Sequence, residues 1–418
     1  MLGTTSHIDG LRRDTLPLPR GSVRGCVLGS SYGSDMRLLH TSDWHLGRSF
    51  HREDLLGAQA RFIDFLVDTV RSQRVDAVLV SGDVYDRALP SVDAVELCND
   101  ALRRLAATGT RVVLISGNHD SARRLGFGAD LIDAAGIHLR TDPAACGRPV
   151  VLEDRHGSVA VYALPYLEPD AVRGELACEE RSHRGVLEAA MGRVRSDLVT
   201  RPGARSVVLS HAFVTGGEVS DSERDISVGG ASAVPASMFA GVDYAALGHL
   251  HGPQRLTDRV RYSGSPLAYS FSEEHHRKGV LLVEMAAEPG SEGSVEHVPA
   301  PVDRGMARIS GHLDDLLTDP RWDTTADSYL QVTLTDPVRP REPMERLRSR
   351  FPHVLVLGFA PEGPVTTDER SYATRLRGRS DLQVADDFVA HVRSAPETDE
   401  SQLLAEAFES VRLAEATA

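Results

Sequence analysis

A short unit recurs five times in this 418-residue chain and limits the folds that the chain can adopt. Each copy is a run of apolar, mostly β-branched or leucine residues, followed by a small residue and then by a side chain that can bind a metal ion. Stretches with helical spacing lie between the copies, so the sequence predicts an α/β fold with its site at the carboxyl ends of strands. The copies are MRLLHTSDWH from Met36, DAVLVSGD from Asp76, RVVLISGNHD from Arg111, SVVLSH from Ser206 and DYAALGHLH from Asp243.

Glycine has a fixed place in three of these units. Gly82, Gly117 and Gly248 each stand immediately before a candidate ligand. A sharp turn at the end of a strand favours backbone conformations that glycine adopts more readily than other residues. We therefore expect these three glycines to take such conformations and to point the following side chain inward.

Seven side chains in the units can act as metal ligands, and they comprise two Asp, one Asn and four His. This mixture of oxygen and imidazole donors suits divalent ions such as Mn, Fe or Zn better than soft, thiophilic metals. Seven ligands suit two ions about 3.5 to 4 Å apart with one bridging carboxylate. We interpret lone histidines such as His40 as ordinary core or surface residues. The candidates are Asp43, His45, Asp83, Asn118, His211, His249 and His251.

The net charge of −14 is at first sight unsuited to a nucleic-acid partner, but its distribution is uneven. Residues 381–418 hold nine Asp or Glu and two Arg, and therefore carry half of the net charge. The remaining residues are only mildly acidic and are compatible with a local basic face.

No run in the sequence approaches the roughly 18 apolar residues of a membrane span. The four scattered cysteines form no CxxC pair, which predicts a reduced, cytoplasmic protein.

The ordered motifs DWH, GDVYD, GNHD, SH and GHLH closely resemble the binuclear, calcineurin-like metallophosphoesterase superfamily. Within it, LLHTSDWHLGRSF, GDVYDRALPS, ISGNHDSARRL, ALGHLH and YSGSPLAYSF are similar to the SbcD nucleases of bacteria, relatives of the meiotic-recombination nuclease of archaea and eukaryotes. The resemblance covers residues 36–285. It implies an α/β fold in which a β-sandwich is flanked by helices and followed by a small α+β capping domain and C-terminal helices.

The resemblance and the pattern together predict four segments. Residues 1–35 are rich in Gly, Ser and Arg, and we interpret them as a disordered extension, with Met36 as a candidate true start. A metallophosphoesterase nuclease domain is expected at 36–300, and a DNA-capping domain at 301–372, for which a simple structural lid is the alternative. Residues 373–418 are expected to form a linker and helices that dock on an ATPase, or that fold back on the chain's own core. The apolar stripe of these helices comprises Leu404, Phe408 and Val411.

The resemblance also implies a role for each site residue. One metal would be held by Asp43, His45 and His251, the other by Asn118, His211 and His249, with Asp83 bridging them. Mn²⁺ is the expected ion at both positions. His119 would be the general acid for the departing sugar oxygen, and the carboxylate of Asp86 would hold its imidazole and raise its pKa.

The activity implied is that of a DNA nuclease, a double-strand exonuclease and a single-strand and hairpin endonuclease in repair, recombination and replication. Its partners would be DNA and an SbcC-type ABC ATPase with a coiled coil, with the chain as a homodimer within a heterotetramer. No Walker A motif occurs in the sequence, so any ATP dependence would come from the partner.

Two other functions stay open on the sequence alone. GDVYDR approaches the phosphatase pattern GDxVDRG, with Ala88 in place of the final glycine, which favours a phosphoprotein or small-molecule phosphatase. A non-catalytic DNA-end scaffold is the other alternative. The Gly- and Ser-rich stretch 215–235 lies among the motifs as a long loop, for which a substrate-facing role and a purely structural one are equally compatible.

Overall fold

The computed structural model describes residues 35–224, 233–362, 378–392 and 398–416. The predicted extension up to residue 34, the middle of the 215–235 loop and most of the predicted linker lie outside the described residues. Within them, two six-stranded sheets pack face to face and helices cover their outer faces. This arrangement confirms the predicted α/β fold with a β-sandwich flanked by helices.

The first sheet has the order β14-β13-β1-β4-β5-β6, in which all neighbours from β1 to β6 are parallel and β13 is antiparallel to both β1 and β14. Its members are β1 (Arg37–Thr41), β4 (Ala77–Ser81), β5 (Arg111–Ile115), β6 (Ile137–Arg140), β13 (Gly279–Glu284) and β14 (Ser294–Pro299). A small hairpin of β2 (Ser49–Phe50) and β3 (Glu53–Asp54) follows β1.

The second sheet has the order β11-β12-β10-β9-β8-β7, and β8, β9, β10 and β12 run parallel. Its members are β7 (Val150–Asp154), β8 (Gly157–Leu164), β9 (Arg205–His211), β10 (Tyr244–Gly248), β11 (Gln254–Arg255) and β12 (Val260–Tyr262). Each apolar run of the recurring unit thus forms one parallel strand.

Apolar side chains fill three layers. Between the sheets lie residues such as Leu79, Val113 and Leu209, all without exposed surface. The helices α1 (Leu56–Gln73) and α2 (Val92–Ala106) cover the first sheet, and α5 (Pro169–Leu176) and α6 (His183–Leu198) cover the second. The short helices α3 (Ala122–Leu125) and α4 (Ala129–Ile132) follow β5. Because each fully buried Val or Leu contributes about 1.5 to 3 kcal/mol, these layers provide a rigid base for the strand ends.

A third, three-stranded parallel sheet follows the sandwich. It consists of β15 (Met306–Gly311), β16 (Tyr329–Leu334) and β17 (Val354–Phe359), with α7 (Leu313–Thr318) and α8 (Pro343–Arg348). β16 lies in SYLQVTLTD, where apolar and polar residues alternate as is typical of a half-buried strand, and β17 lies in the apolar segment HVLVLGFAPE.

Two further helices complete the described chain, α9 (Asp381–Val392) and α10 (Thr398–Ala416). The hydroxyl of Ser401 donates to the carboxylate of Asp386 over 3.3 Å, so the two helices touch. The three residues of the predicted apolar stripe differ in burial, because Leu404 and Phe408 are half-buried while Val411 is 55% exposed. Across the described ranges, no helix combines the length and apolar character needed to cross a membrane.

Candidate metal centre

The predicted ligands follow the carboxyl ends of five parallel strands, β1, β4 and β5 in one sheet and β9 and β10 in the other. The two sheets meet there, because the Ser81 hydroxyl donates to the Ala246 carbonyl over 2.9 Å. Six of the seven candidates are at most 4% exposed, and Asn118 is partly buried. The structure therefore brings all seven to one edge of the sandwich.

One group of ligand atoms surrounds the ring of His45. Its Nε2 lies 3.1 Å from Nε2 of His251, and Asp43, His45 and His251 each offer an atom within 4.8 Å of the others. Both ring nitrogens face the same space. A bound cation would let both nitrogens contribute lone pairs there.

A second group surrounds Asn118. Its Oδ1 lies 2.8 Å from Nε2 of His211 and 3.3 Å from Nδ1 of His249. The Asp83 carboxylate stands between the two groups, with Oδ2 at 3.7 Å from His45 Nε2 and 3.5 Å from His211 Nε2. Nδ1 of His211 donates to the Ser81 carbonyl over 2.9 Å, which orients the ring. The lone pair of Nε2 then faces the cluster.

The electrostatics of this cluster fit a site for cations. Burial raises the pKa of Asp43 to about 6 and that of Asp83 well above its ordinary value. Burial likewise lowers the pKa of His211 to about 3 and that of His45 well below its usual range. The carboxylates thus lack a compensating positive charge, and the imidazoles are neutral as metal ligands must be. These donors fit a pair of divalent ions.

The backbone at this edge adopts strained conformations. Asp43, His45, Asp83 and His249 have φ values of 53°, 45°, 49° and 107°, in the region that favours glycine. Such conformations cost about 1 to 3 kcal/mol each and persist where the surroundings hold them. Here the amides of Asp43 and His45 each donate over 3.0 Å to the strand-end carbonyls of Gly82 and Asp83. These hydrogen bonds hold the backbone of the candidate ligands Asp43 and His45 in place.

The three strand-end glycines serve two different purposes. Gly82 has a φ of 91°, as expected for a sharp turn. Gly117 and Gly248 lack such a φ, but a Cβ would lie 2.1 Å from Oδ1 of Asp83 at the first and 1.9 Å from the Ser81 carbonyl oxygen at the second. Close approach of the two strand ends, and not a special backbone conformation, requires glycine at these two positions.

The surroundings of His119 differ from the expectation. Its Nδ1 donates to the backbone carbonyl of Asp86 over 2.8 Å, and Nε2 faces Oδ2 of Asp83 at 3.9 Å. The Asp86 carboxylate instead lies 3.8 Å from Nδ1 of His45 and 3.7 Å from Nε of Arg48. Burial lowers the pKa of His119 to about 4, where a carboxylate contact was expected to raise it. Asp86 therefore orients the imidazole through its peptide group.

Several residues that hold the ligands were not predicted. The carboxylate of Asp120 accepts from the amides of Gly117 and Tyr85 over 2.9 Å and of Val84 over 3.1 Å, which ties the turns after β4 and β5 together. Its place in GNHD could have drawn attention to it. Glu223, in the 215–235 loop, and Glu273, just after YSGSPLAYSF, contact His251, and neither belongs to a pattern that reveals this role.

With the geometry established, comparison with known proteins identifies the family. The model of the calcineurin-like phosphoesterases matches residues 36–253, just over half of the chain. The chain belongs to the calcineurin-like phosphoesterase family. Membership and the clustered ligands support a hydrolase with a dimetal site. A second family model, SbcD_C, described as the Type 5 capsule protein repressor C-terminal domain, matches residues 302–393, which include the third sheet and α9.

Solved structures of other proteins resemble parts of this phosphoesterase. TT1561 of Thermus thermophilus is 12% identical, with 64% of this chain and 100% of that chain covered at a TM-score of 0.40. GAP50, the anchor in the inner membrane complex of Plasmodium, is 11% identical, with 78% and 98% covered at 0.37. A dimetal phosphatase from Danio rerio is 13% identical, with 64% and 99% covered at 0.34. None of these similarities bears on the substrate.

Proposed function

We propose that this chain is the nuclease subunit of a cytoplasmic complex that hydrolyses phosphodiester bonds in DNA, with two Mn²⁺ ions and an SbcC-type ATPase as partner. One observation carries the proposal: a phosphoesterase domain with a clustered ligand set is followed in the same chain by a region that matches SbcD_C. The activities proposed are double-strand exonuclease and hairpin or single-strand endonuclease, in DNA repair and recombination.

The proposed ligand assignment divides the cluster into two sets. Asp43, His45 and His251 would hold one ion and Asn118, His211 and His249 the other, with Asp83 between them. The distances from Asp83 Oδ2 to one histidine of each set, 3.7 and 3.5 Å, support a bridging role. Bound ions would supply positive charge for the phosphodiester oxygens and lower the pKa of a water molecule.

His119 is the proposed general acid. Its Nδ1 donates to the Asp86 carbonyl, so Nε2, which faces the cluster, is the atom that would carry the transferable proton in the protonated form of the ring. An anionic phosphodiester beside the ring favours its protonated form. The residue can then donate that proton to the departing sugar oxygen.

The third sheet is the proposed DNA-capping domain, at residues 301–372 after a nuclease domain at 36–300. It is attached beside the site, because the ring of Tyr329 lies 6.0 Å from that of Phe50, and Arg308 pairs with Glu274 over 2.7 Å. This position would allow it to contact DNA that enters the cluster.

Two exposed apolar surfaces support the proposed assembly. On α9 and α10, Phe388 and Leu403 are 57% and 65% exposed, which suits docking on the coiled coil of the ATPase. On the segments after β4 and β5, Leu89 and Phe127 are 70% and 88% exposed, and the side chain of Arg124 donates to the Ala88 carbonyl between them. We assign this second surface to the homodimer.

Cleavage of a hairpin-capped DNA by the purified chain with Mn²⁺ tests the proposal, with a phosphopeptide as the competing substrate. His119→Ala should reduce DNA cleavage by about 10²- to 10⁴-fold because it removes the proton donor. His156→Ala is the matched control, because His156 lies in the β7–β8 turn at the opposite end of the second sheet.

The outcomes separate the three functions. DNA cleavage that is lost in His119→Ala and retained in His156→Ala supports the nuclease. Phosphopeptide hydrolysis without DNA cleavage indicates the phosphatase. Inactivity on both substrates, also after addition of the ATPase, would contradict the proposal and favour a scaffold.

A further inference from the structure

A buried ion pair lies directly behind His251. Glu273 and Lys278 are only 1% and 4% exposed, and their side chains pair with each other. The Lys278 ammonium also donates to the His251 carbonyl over 2.8 Å and to the Ser265 hydroxyl over 2.9 Å. Burying two charges is costly, so their placement against a site residue requires a reason beyond packing.

The hydrogen bonds define which nitrogen of His251 carries a proton. Nδ1 lies 2.6 Å from Oγ of Ser222, which lies 2.5 Å from Oε1 of Glu273. An ionised carboxylate only accepts, so the Ser222 hydroxyl donates to Glu273 and accepts from Nδ1–H of His251. This order of protons leaves the lone pair on Nε2, the atom that faces His45 at 3.1 Å.

The ion pair with Lys278 also favours the ionised Glu273 carboxylate, which the hydrogen bond from Ser222 requires. The Lys278 ammonium lies directly against the Glu273 carboxylate, and an adjacent positive charge favours the ionised form of a carboxyl group. The main chain of His251 is fixed as well, because its amide donates to Oε1 of Glu223 over 2.8 Å. The ring and the backbone of one residue are thus held by two different acidic side chains.

We propose that Glu273 is a positioning residue for His251, which acts through Ser222 to fix the ring orientation and the tautomer that presents Nε2 to a metal ion. Lys278 balances its charge. The inference rests on the proposed role of His251 as a ligand. A carboxylate behind a ligating histidine typically contributes about 10- to 100-fold to metal affinity.

Calorimetric titration of the metal-stripped chain with Mn²⁺, together with its melting temperature in EDTA, tests this role. Glu273→Gln should weaken Mn²⁺ binding by about 10- to 100-fold and lower the melting temperature, because Lys278 is left unpaired. Ser222→Ala leaves the ion pair intact and should weaken binding in the same direction with little change in melting temperature.

A double variant separates positioning from stability. Glu273→Gln with Lys278→Met removes both charges, so the melting temperature should recover while Mn²⁺ affinity stays low. Asp154→Asn is the matched control, because it breaks the buried pair with Arg205 at the amino end of β8, far from the cluster. It should lower the melting temperature and leave Mn²⁺ affinity unchanged.

The results distinguish this inference from the proposed function. If the wild-type chain binds no Mn²⁺, the dimetal assignment fails and the positioning role fails with it. If the wild type binds Mn²⁺ and Glu273→Gln binds it equally well, only the positioning role is overturned. The same holds if the double variant regains affinity together with its melting temperature, because Glu273 would then be purely structural.

Discussion

The β-sandwich and the two C-terminal helices place polar and apolar side chains in opposite ways. In the sandwich, polar candidate ligands such as Asp43 and His45 have no exposed surface. On α9 and α10, Phe388 and Leu403 are more than half exposed. Buried charges are costly unless paired or metal-bound, and exposed apolar patches mark sites of association. This contrast supports the proposed roles, a site for small ions in the first region and a docking surface for a partner protein in the second.

The largest effect should come from charging the exposed face of the C-terminal helices. Phe388→Glu with Leu403→Glu should weaken binding to a purified SbcC-type ATPase by roughly 100-fold or more, because buried apolar anchors dominate such interfaces. Mn²⁺ affinity should not change. Surface plasmon resonance measures the first quantity and calorimetric titration the second.

The control for that experiment adds a charge on α10 without removing an apolar side chain. Gln402 is exposed beside Leu403, so Gln402→Glu should bind the ATPase as the wild type does. Full retention of binding in the double variant would show that α9 and α10 do not form the docking surface. The exposed apolar residues of these helices would then not mark a site of association.

A second prediction concerns His40, a buried polar residue of the sandwich that lies outside the cluster. Its Nε2 donates to the Leu247 carbonyl over 3.1 Å, and its Nδ1 accepts from the Tyr244 hydroxyl over 2.9 Å. Burial lowers the pKa of His40 from 6.5 to about 3. The unfolded chain therefore takes up this proton near pH 6.5 and the folded chain does not. The stability that His40 contributes is complete above pH 6.5 and is lost as the pH falls towards 3.

The lowered pKa of His40 sets the expected change in the free energy of unfolding with pH. Between pH 7 and pH 5, His40 alone should reduce the free energy of unfolding by about 2 kcal/mol. His40→Gln should remove this part of the pH dependence, measured by chemical denaturation in EDTA at both values. The other histidines titrate alike in both proteins, so equal pH dependence of variant and wild type would contradict the prediction.

The sequence predicted those parts of the fold and site that depend on local pattern. Apolar runs that end in Asp83 or His211 predict both the strands and the edge where their ligands meet, because parallel strands place their carboxyl ends together. Glycines before ligands were also found to be required. The reason at Gly117 and Gly248 was missed, because the close approach of Gly117 to Asp83 and of Gly248 to Ser81 depends on packing between segments distant in sequence, which no local pattern records.

The remaining features depend on contacts between distant segments or on backbone atoms. Glu273 acts on His251 only because the chain returns through β12 and the turn after it, so no spacing relates the two residues. The carbonyl of Asp86 contacts His119, and a carbonyl is present in every residue. A sequence can therefore indicate which side chains form a site more readily than which groups hold them.

The smallest effect is expected for a substitution at Asp86, which separates the role of its carboxylate from that of its backbone carbonyl. Asp86→Asn retains the peptide carbonyl that accepts from Nδ1 of His119, so the hairpin-cleavage kcat should stay within about tenfold of the wild-type value, against the roughly 10²- to 10⁴-fold loss expected for His119→Ala. A loss as large as that of His119→Ala would mean that the carboxylate acts through His45 or Arg48, which it approaches at 3.8 and 3.7 Å. Retained activity would indicate that the main chain of the buried region, and not a carboxylate, orients the His119 imidazole, whereas the exposed helices contribute through their side chains.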